Sequence, residues 1–307
     1  MAKDEAAGRG KGEDPLVGVA SAAGAYALWG LFPIYFKAVA AIPALEVLAH
    51  RIVWSLLVVV VALVFAGKTA AAVAAFRQPR LLAVLTLSAT ALSLNWGVFI
   101  YAVASGQVLQ ASLGYFINPL VSVLLGVAFL GERLSRLQWV AVAMAAIGVV
   151  VEIIGVGKLP WIALALAFSF AGYGLLRKLA PVDALTGLLV ETAVLTPLAL
   201  AYLMVLAAEG SGAFGTGSVT RDLLLILAGP ITALPLVLFV AGARRIRLVT
   251  VGLLQYIAPS GHFLLALFMF GETMTPARSL TFVLTWAALG LYSFDVVRGS
   301  VRGRRRH

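Results

Sequence analysis

The chain has no cysteine, only three histidines, and charge on just 12% of its residues. Without cysteine there are no disulfides, no thiol catalysis and no thiolate metal centre. His50, His262 and His307 are too few and too scattered to supply a zinc site, so no metal and no cofactor are expected. Neither an H-E-x-x-H motif nor a G-x-S-x-G elbow is present. In "PSGH", Ser260 and His262 stand two residues apart, on opposite faces of a helix, so they form no local dyad. An enzyme is therefore not expected. The scarcity of charge is the most restrictive lack, because a soluble chain carries about a quarter charged residues.

Apolar residues fill the space that charge leaves. The chain of 307 residues is 62% hydrophobic, and its mean hydropathy is +1.03. Runs of about 20 apolar residues, enough to cross a hydrocarbon core of roughly 30 Å, recur from Leu16 onward. The expected fold is an all-α integral membrane protein with ten spans. They are placed at Leu16–Val39, Ala44–Phe65, Leu81–Ala102, Val108–Leu130, Leu137–Ile154, Pro160–Arg177, Ala184–Ala207, Leu223–Ala241, Val249–Phe270 and Pro276–Val296. Pro43, Pro79, Pro160 and Pro276 suit first-turn positions. "SRLQ", Ser135 to Gln138, reads as a capping box opening the fifth span. Residues 1–15 read as a disordered tail and residues 298–307 as a basic one.

The net charge of +10 is distributed by side. Under this layout, 18 of the 23 Lys and Arg residues fall in the two tails and the loops on one face. By the positive-inside rule that face is cytoplasmic, and both termini lie on it. The basic loops then anchor topology against anionic headgroups, and no nucleic-acid partner is expected.

A shift of 140 residues brings "ASLGYFINPLVSVLLGVAFLGE", Ala111 to Glu132, onto "VGLLQYIAPSGHFLLALFMFGE", Val251 to Glu272. Pro119 falls on Pro259 and Gly131-Glu132 on Gly271-Glu272, without a gap. The same shift carries Lys37 onto Arg177 and Arg51 onto Glu191. Each half, 16–155 and 156–297, then holds five spans. Five is odd, so the second half must be inverted relative to the first. Inverted repeats with interrupted spans at matching positions point to a transporter whose site lies between the halves. Pro119 and Pro259 are the expected hinges of the fourth and ninth spans.

Several stretches resemble one family. "AYALWGLFPIYFKAV", "EVLAHRIVWS", "SLGYFINPLVSVLLG", "GERLSRLQW", "PWIALALAFSFAGYGLLRK" and "GLLQYIAP" are similar to RarD-type proteins. These belong to the EamA family of the drug/metabolite transporter (DMT) superfamily. The resemblance runs from Ala25 to Tyr292. It implies a bacterial inner-membrane permease of ten helices in two inverted halves. The family carries the label "chloramphenicol-sensitive" or "chloramphenicol resistance permease", which implies a small drug-like or metabolite cargo.

Ionisable groups inside spans normally face the bundle interior or water. In the second span Glu46, His50 and Trp54 share a face, with Arg51 and Ser55 on the adjoining stripe. Arg51 is read as a countercharge for an anionic solute group and His50 as a titratable neighbour, or else both as a structural cluster near the outer surface. Glu191 is the candidate for proton coupling, opposite Arg51 across a cavity, or else a helix-packing carboxyl bonded to Ser, Thr or Trp. Tyr115 and Asn118 in the fourth span, and Gln255, Tyr256 and His262 in the ninth, form two polar stripes beside the prolines. Asn95, Trp96, Trp29 and Tyr26 are further lining candidates. Lys37 and Arg177 are expected to snorkel. Glu152 and Asp295 are expected to reach headgroups, and Glu132 and Glu272 to pair with Arg133, Arg136 or Arg278. The expected activity is alternating-access transport of a small solute. A channel or a non-transporting sensor is the competing class.

Overall fold

The computed structural model describes residues 15–105, 107–156, 161–269 and 276–304. Gly271, Glu272, Pro160, residues 305–307 and most of the N-terminal tail lie outside the described residues, as do the side chains of Glu152 and Arg278. The described chain is built of helices only. They are α1 (Pro15–Gly30), α2 (Phe32–Ala38), α3 (Ala44–Phe65), α4 (Thr69–Phe76), α5 (Pro79–Ala104), α6 (Val108–Leu130) and α7 (Arg136–Val156). After them come α8 (Trp161–Leu179), α9 (Ala184–Glu209), α10 (Val219–Arg245), α11 (Leu248–Leu254), α12 (Ile257–Phe268) and α13 (Pro276–Arg304). Among the described residues, eight segments are long and apolar enough to cross a membrane. α7 and α13 occupy the places of the fifth and tenth expected spans.

Large apolar side chains stand outward around this bundle. Phe65 is 87% exposed, Leu198 77% and Phe129 70%. A soluble surface rarely carries such a belt, whereas a lipid-facing one requires it. The chain is therefore an all-α, multi-pass membrane protein.

Proline position explains both interrupted spans. Pro33 has no N–H to offer the Trp29 carbonyl four residues back, and α1 gives way to α2 at Leu31. In the ninth span the interruption falls at Gln255-Tyr256, not at Pro259 itself. Pro259 denies a donor to the carbonyl of Gln255, so the helix parts one turn upstream. Pro259 then sits in the first turn of α12, where a missing N–H costs little. Pro119 lies inside α6, which stays continuous around it.

α4 is the element that the span pattern alone omits. Its alanine-rich sequence TAAAVAAF favours helix, and Ala72 and Ala75 are buried. The capping box is present as expected. Ser135 Oγ accepts from Gln138 N at 3.1 Å, and Ser135 N donates to Gln138 Oε1 at 3.2 Å. Asp295 does not reach outward, because its Oδ2 accepts from Ser135 Oγ and Gln138 Nε2 at 2.7 and 2.9 Å.

The packing joins the two halves of the sequence throughout. α1 packs on α10 and α12, α3 on α9 and α10, α5 on α8 and α9, α6 on α8 and α11, and α7 on α13. Small residues bring these helices close. At Gly229 on α10, an added Cβ would stand 2.6 Å from the backbone carbon of Trp54 on α3.

Candidate functional site: an unpaired arginine among aromatic rings

Arg51 projects from the second turn of α3. Its Nε donates to Thr232 Oγ1 on α10 at 2.9 Å. Its guanidinium carbon stands 4.9 Å from the Trp96 ring centroid, 5.7 Å from that of Phe36 and 6.0 Å from that of Phe32. Among the described residues no carboxylate lies within ion-pair distance of it. Arg51 and the three rings are all half-buried, so the cation is framed but not sealed.

Arg51 and Glu191, read as facing each other across a cavity, form no direct ion pair. Glu191 is 1% exposed and instead meets Arg177 of α8, with Arg177 Nε 3.3 Å from Glu191 Oε1. Ser88 of α5 donates to the same carboxylate oxygen. Arg177 is fully buried, so it does not snorkel, and its Nη2 donates to the Ala184 carbonyl at 3.2 Å. The guanidinium lies against Gly187, where an added Cβ would overlap it. A buried carboxylate needs a cation within reach. Arg177, in the last turn of the preceding helix, is nearer than a residue in the other half.

His50 also parts from Arg51, although the two are adjacent in sequence. Its Nδ1 accepts from Trp54 Nε1 at 3.2 Å, and its ring lies 5.1 Å from that of Phe214 in the α9–α10 connection. Glu46 accepts from Ala213 N of the same connection at 2.5 Å. Glu46 and His50 therefore hold a loop against the end of α3, and Arg51 turns toward the rings. His50 Nε2 is buried without a hydrogen-bond partner.

On α6 and the interrupted span, the polar residues meet in pairs. Asn118 Oδ1 accepts from Ser122 Oγ at 3.4 Å. Tyr256 Oη donates to the Phe116 carbonyl at 3.2 Å. An added Cβ on Gly252 would lie 2.8 Å from the Pro119 carbonyl oxygen and 2.8 Å from Ser122 Cβ, so α11 crosses α6 at Pro119 with no spare room. Gln255 is buried at the break, and its Oε1 has no hydrogen-bond partner. Asn95 faces elsewhere, with Nδ2 donating to the Leu166 carbonyl and to Ser169 Oγ on α8 at 2.9 and 3.1 Å.

His262 connects α12 to α1. Its Nε2 stands 3.0 Å from the Trp29 carbonyl, the group that Pro33 leaves without an in-helix donor. A carbonyl only accepts, so Nε2 carries the proton and Nδ1 remains as the acceptor. The His262 ring meets the Tyr115 ring edge-on at 5.8 Å, and Tyr115 in turn meets Phe99 at 6.5 Å. Trp29 touches Tyr26, Phe170 and Phe239 with centroids 5.5 to 5.7 Å apart.

One contact between the halves was not foreseen from the sequence. Glu132, just beyond α6, accepts from Leu248 N at 2.6 Å and Val249 N at 2.9 Å, so its carboxylate caps the N-terminus of α11. It does not pair with Arg133 or Arg136. Arg247 returns the tie, donating to the Arg133 carbonyl at 2.9 Å and to Gln138 Oε1 at 2.8 Å. The repeated Gly-Glu after each proline-containing span was the available signal. A negative charge at the first turn of a helix is its natural use.

Residues 16–153 match the EamA-like transporter family. A Streptomyces exfoliatus protein named RarD is 47% identical over 92% of this chain and 90% of its own length. A Vibrio cholerae protein named an uncharacterized transporter is 44% identical over 95% of this chain and 97% of its own. One crystal structure, 19% identical, superposes with a TM-score of 0.70 over 89% of this chain and 96% of the other, a likeness of fold. The chain belongs to the EamA family, as a RarD-type member.

Proposed function

We propose that this chain is a secondary-active or facilitative carrier that moves a small metabolite or drug-like solute across the bacterial inner membrane by alternating access. Ten spans form two inverted halves, 16–155 and 156–297, with both termini cytoplasmic. One observation carries this reading. The span contacts that join the two halves map onto themselves when each span is exchanged for its counterpart 140 residues away. The pair α1 with α10 becomes α8 with α5, and α1 with α12 becomes α8 with α6. The pairs α3 with α9, α6 with α11 and α7 with α13 become themselves. A framework with that exchange property has two equivalent ways to close, one per membrane face.

The solute site lies where α3, α5, α6, α10 and α12 present Arg51, Trp96, Tyr115, Asn118, Thr232 and His262. α11 and α12 part at Gln255-Tyr256, and with Pro119 this break supplies the hinge. Glu132 and Arg247 tie α11 to the α6–α7 junction, so one end of the molecule is latched. Glu191 is the group through which a proton would couple, by exchanging Arg177 for a proton when α9 moves against α8. No nucleotide-binding motif is present to drive transport directly.

The absence of cysteine makes the test clean. Single cysteines at Trp96, Tyr115 or Thr232 are to be labelled with a membrane-impermeant maleimide from each face of oriented vesicles. A carrier exposes each site to one face at a time, with solute shifting the balance. Simultaneous labelling from both faces would mean a channel, and none from either face would favour a sensor.

A further inference from the structure

We infer that the solute is an organic carboxylate with a flat apolar body, held at its charged end by Arg51. This rests on the carrier reading and names the substrate class of its site. Arg51 and Arg177 stand in the bundle's two halves and differ in one respect. Arg177 is fully enclosed and has Glu191 as its counter-ion. Arg51 is half-buried, has no counter-ion among the described residues, and uses only Nε in its hydrogen bond to Thr232. Its two Nη groups are left as a parallel pair of donors, the geometry that matches a carboxylate. A cation placed in an apolar span without a partner is costly, and an anion arriving from solution removes that cost.

The surroundings define the rest of the molecule. Trp96, Phe36 and Phe32 stand 4.9 to 6.0 Å from the guanidinium carbon, so a planar or apolar body has ring faces to lie on. Tyr115 lies within electrostatic reach of Arg51 and adds a hydroxyl. Among the described residues, the two carboxylates buried within the spans already hold other groups. Glu191 is engaged by Arg177, and Glu46 by the backbone of Ala213. The site therefore takes a simple anion and gains nothing from a zwitterion.

The test is equilibrium binding of radiolabelled phenylacetate to the purified full chain in detergent, with competitors. Phenylacetate itself should compete. Phenylacetamide, of the same shape but uncharged, should be weaker by about 10- to 100-fold, the size of a hydrogen bond to a charged group. Arg51→Gln should abolish that preference for acid over amide. Arg51→Lys should keep it in reduced form, which covers the case in which Arg51→Gln does not fold. Trp96→Leu should weaken phenylacetate and leave the acid-over-amide preference in place. Equal competition by acid and amide, or a preference that survives Arg51→Gln, overturns the inference. So does displacement of the tracer by phosphatidylglycerol, which would assign Arg51 to a lipid headgroup. Binding as described with no flux in vesicles would leave the carboxylate site standing and remove the carrier reading. Flux of other solutes with no carboxylate binding would do the reverse.

Discussion

Replacing Glu191 with Gln should destabilise the chain by about 3–5 kcal/mol, the loss typical when one member of a buried pair is removed. The separation of 3.3 Å and the near-zero exposure of both side chains set that size. At an effective dielectric of about 20 the direct attraction at this distance is about 5 kcal/mol. Gln keeps an acceptor for Ser88 but leaves the Arg177 charge enclosed against Gly187, with no way out to water. The pair is also incompletely satisfied, since Arg177 Nη1 and Glu191 Oε2 have no hydrogen-bond partners. Removing both charges together should therefore cost far less than the sum of the single changes, with Arg177→Met/Glu191→Met within about 2 kcal/mol of the native chain. The assay is reversible unfolding in mixed micelles titrated with dodecyl sulfate, followed by tryptophan fluorescence, for the native chain, Glu191→Gln, the single variants Arg177→Met and Glu191→Met, and the double one. A Glu191→Gln chain within 1 kcal/mol of native, or a double variant as unstable as the summed singles, would refute the buried pair.

Other perturbations have equally definite outcomes. Glu132→Gln retains one acceptor oxygen where the carboxylate offers two, and should cost about 1–3 kcal/mol; amide hydrogen exchange at Leu248 and Val249 should rise, while that at Val240 should not. Gly252→Ala places a Cβ 2.8 Å from the Pro119 carbonyl oxygen and should cost about 1–3 kcal/mol by overpacking, read as a lower unfolding midpoint. Asp183 caps α9 by accepting from Leu185 N and Thr186 N, and it meets Lys68 at 3.2 Å. Partial burial alone would raise its pKa, but the hydrogen bonds from Thr186 and Lys68 outweigh that and hold it below the usual carboxylate range. A depressed carboxyl pKa contributes stability above the unfolded value of about 3.9, lost as pH falls through the folded one. Asp183→Ala should cost about 1 kcal/mol at neutral pH and remove that acid-side dependence, and Asp183→Asn should keep most of the cap.

The membrane fold was readable because hydropathy and proline position act locally. Spans, first-turn prolines and the Ser135–Gln138 capping box depend on residues close in sequence. The alanine-rich α4 was readable too, by helix propensity, but not by a search for apolar runs. The charged partners were not readable. Glu132 meets Leu248 and Arg51 meets Thr232 across more than a hundred residues, and sequence spacing carries no distance for such pairs. Register under the 140-residue shift set Arg51 and Glu191 at matching depths from opposite faces, but depth is one coordinate of three. The break at Gln255 was legible in principle, since a proline disturbs the carbonyl four residues before it. The link from His262 to Trp29 follows from the same rule applied to Pro33, and only the fold says which side chain fills that vacant donor position.

The most direct measurement is solute uptake by the purified chain in sealed proteoliposomes, using a panel of organic acids, amino acids and chloramphenicol, with and without a pH gradient. A carrier gives saturable uptake, and unlabelled solute trapped inside accelerates entry of labelled solute. Uptake that rises without saturation and shows no such exchange would mean a channel. An intact, folded chain that moves nothing would contradict transport altogether.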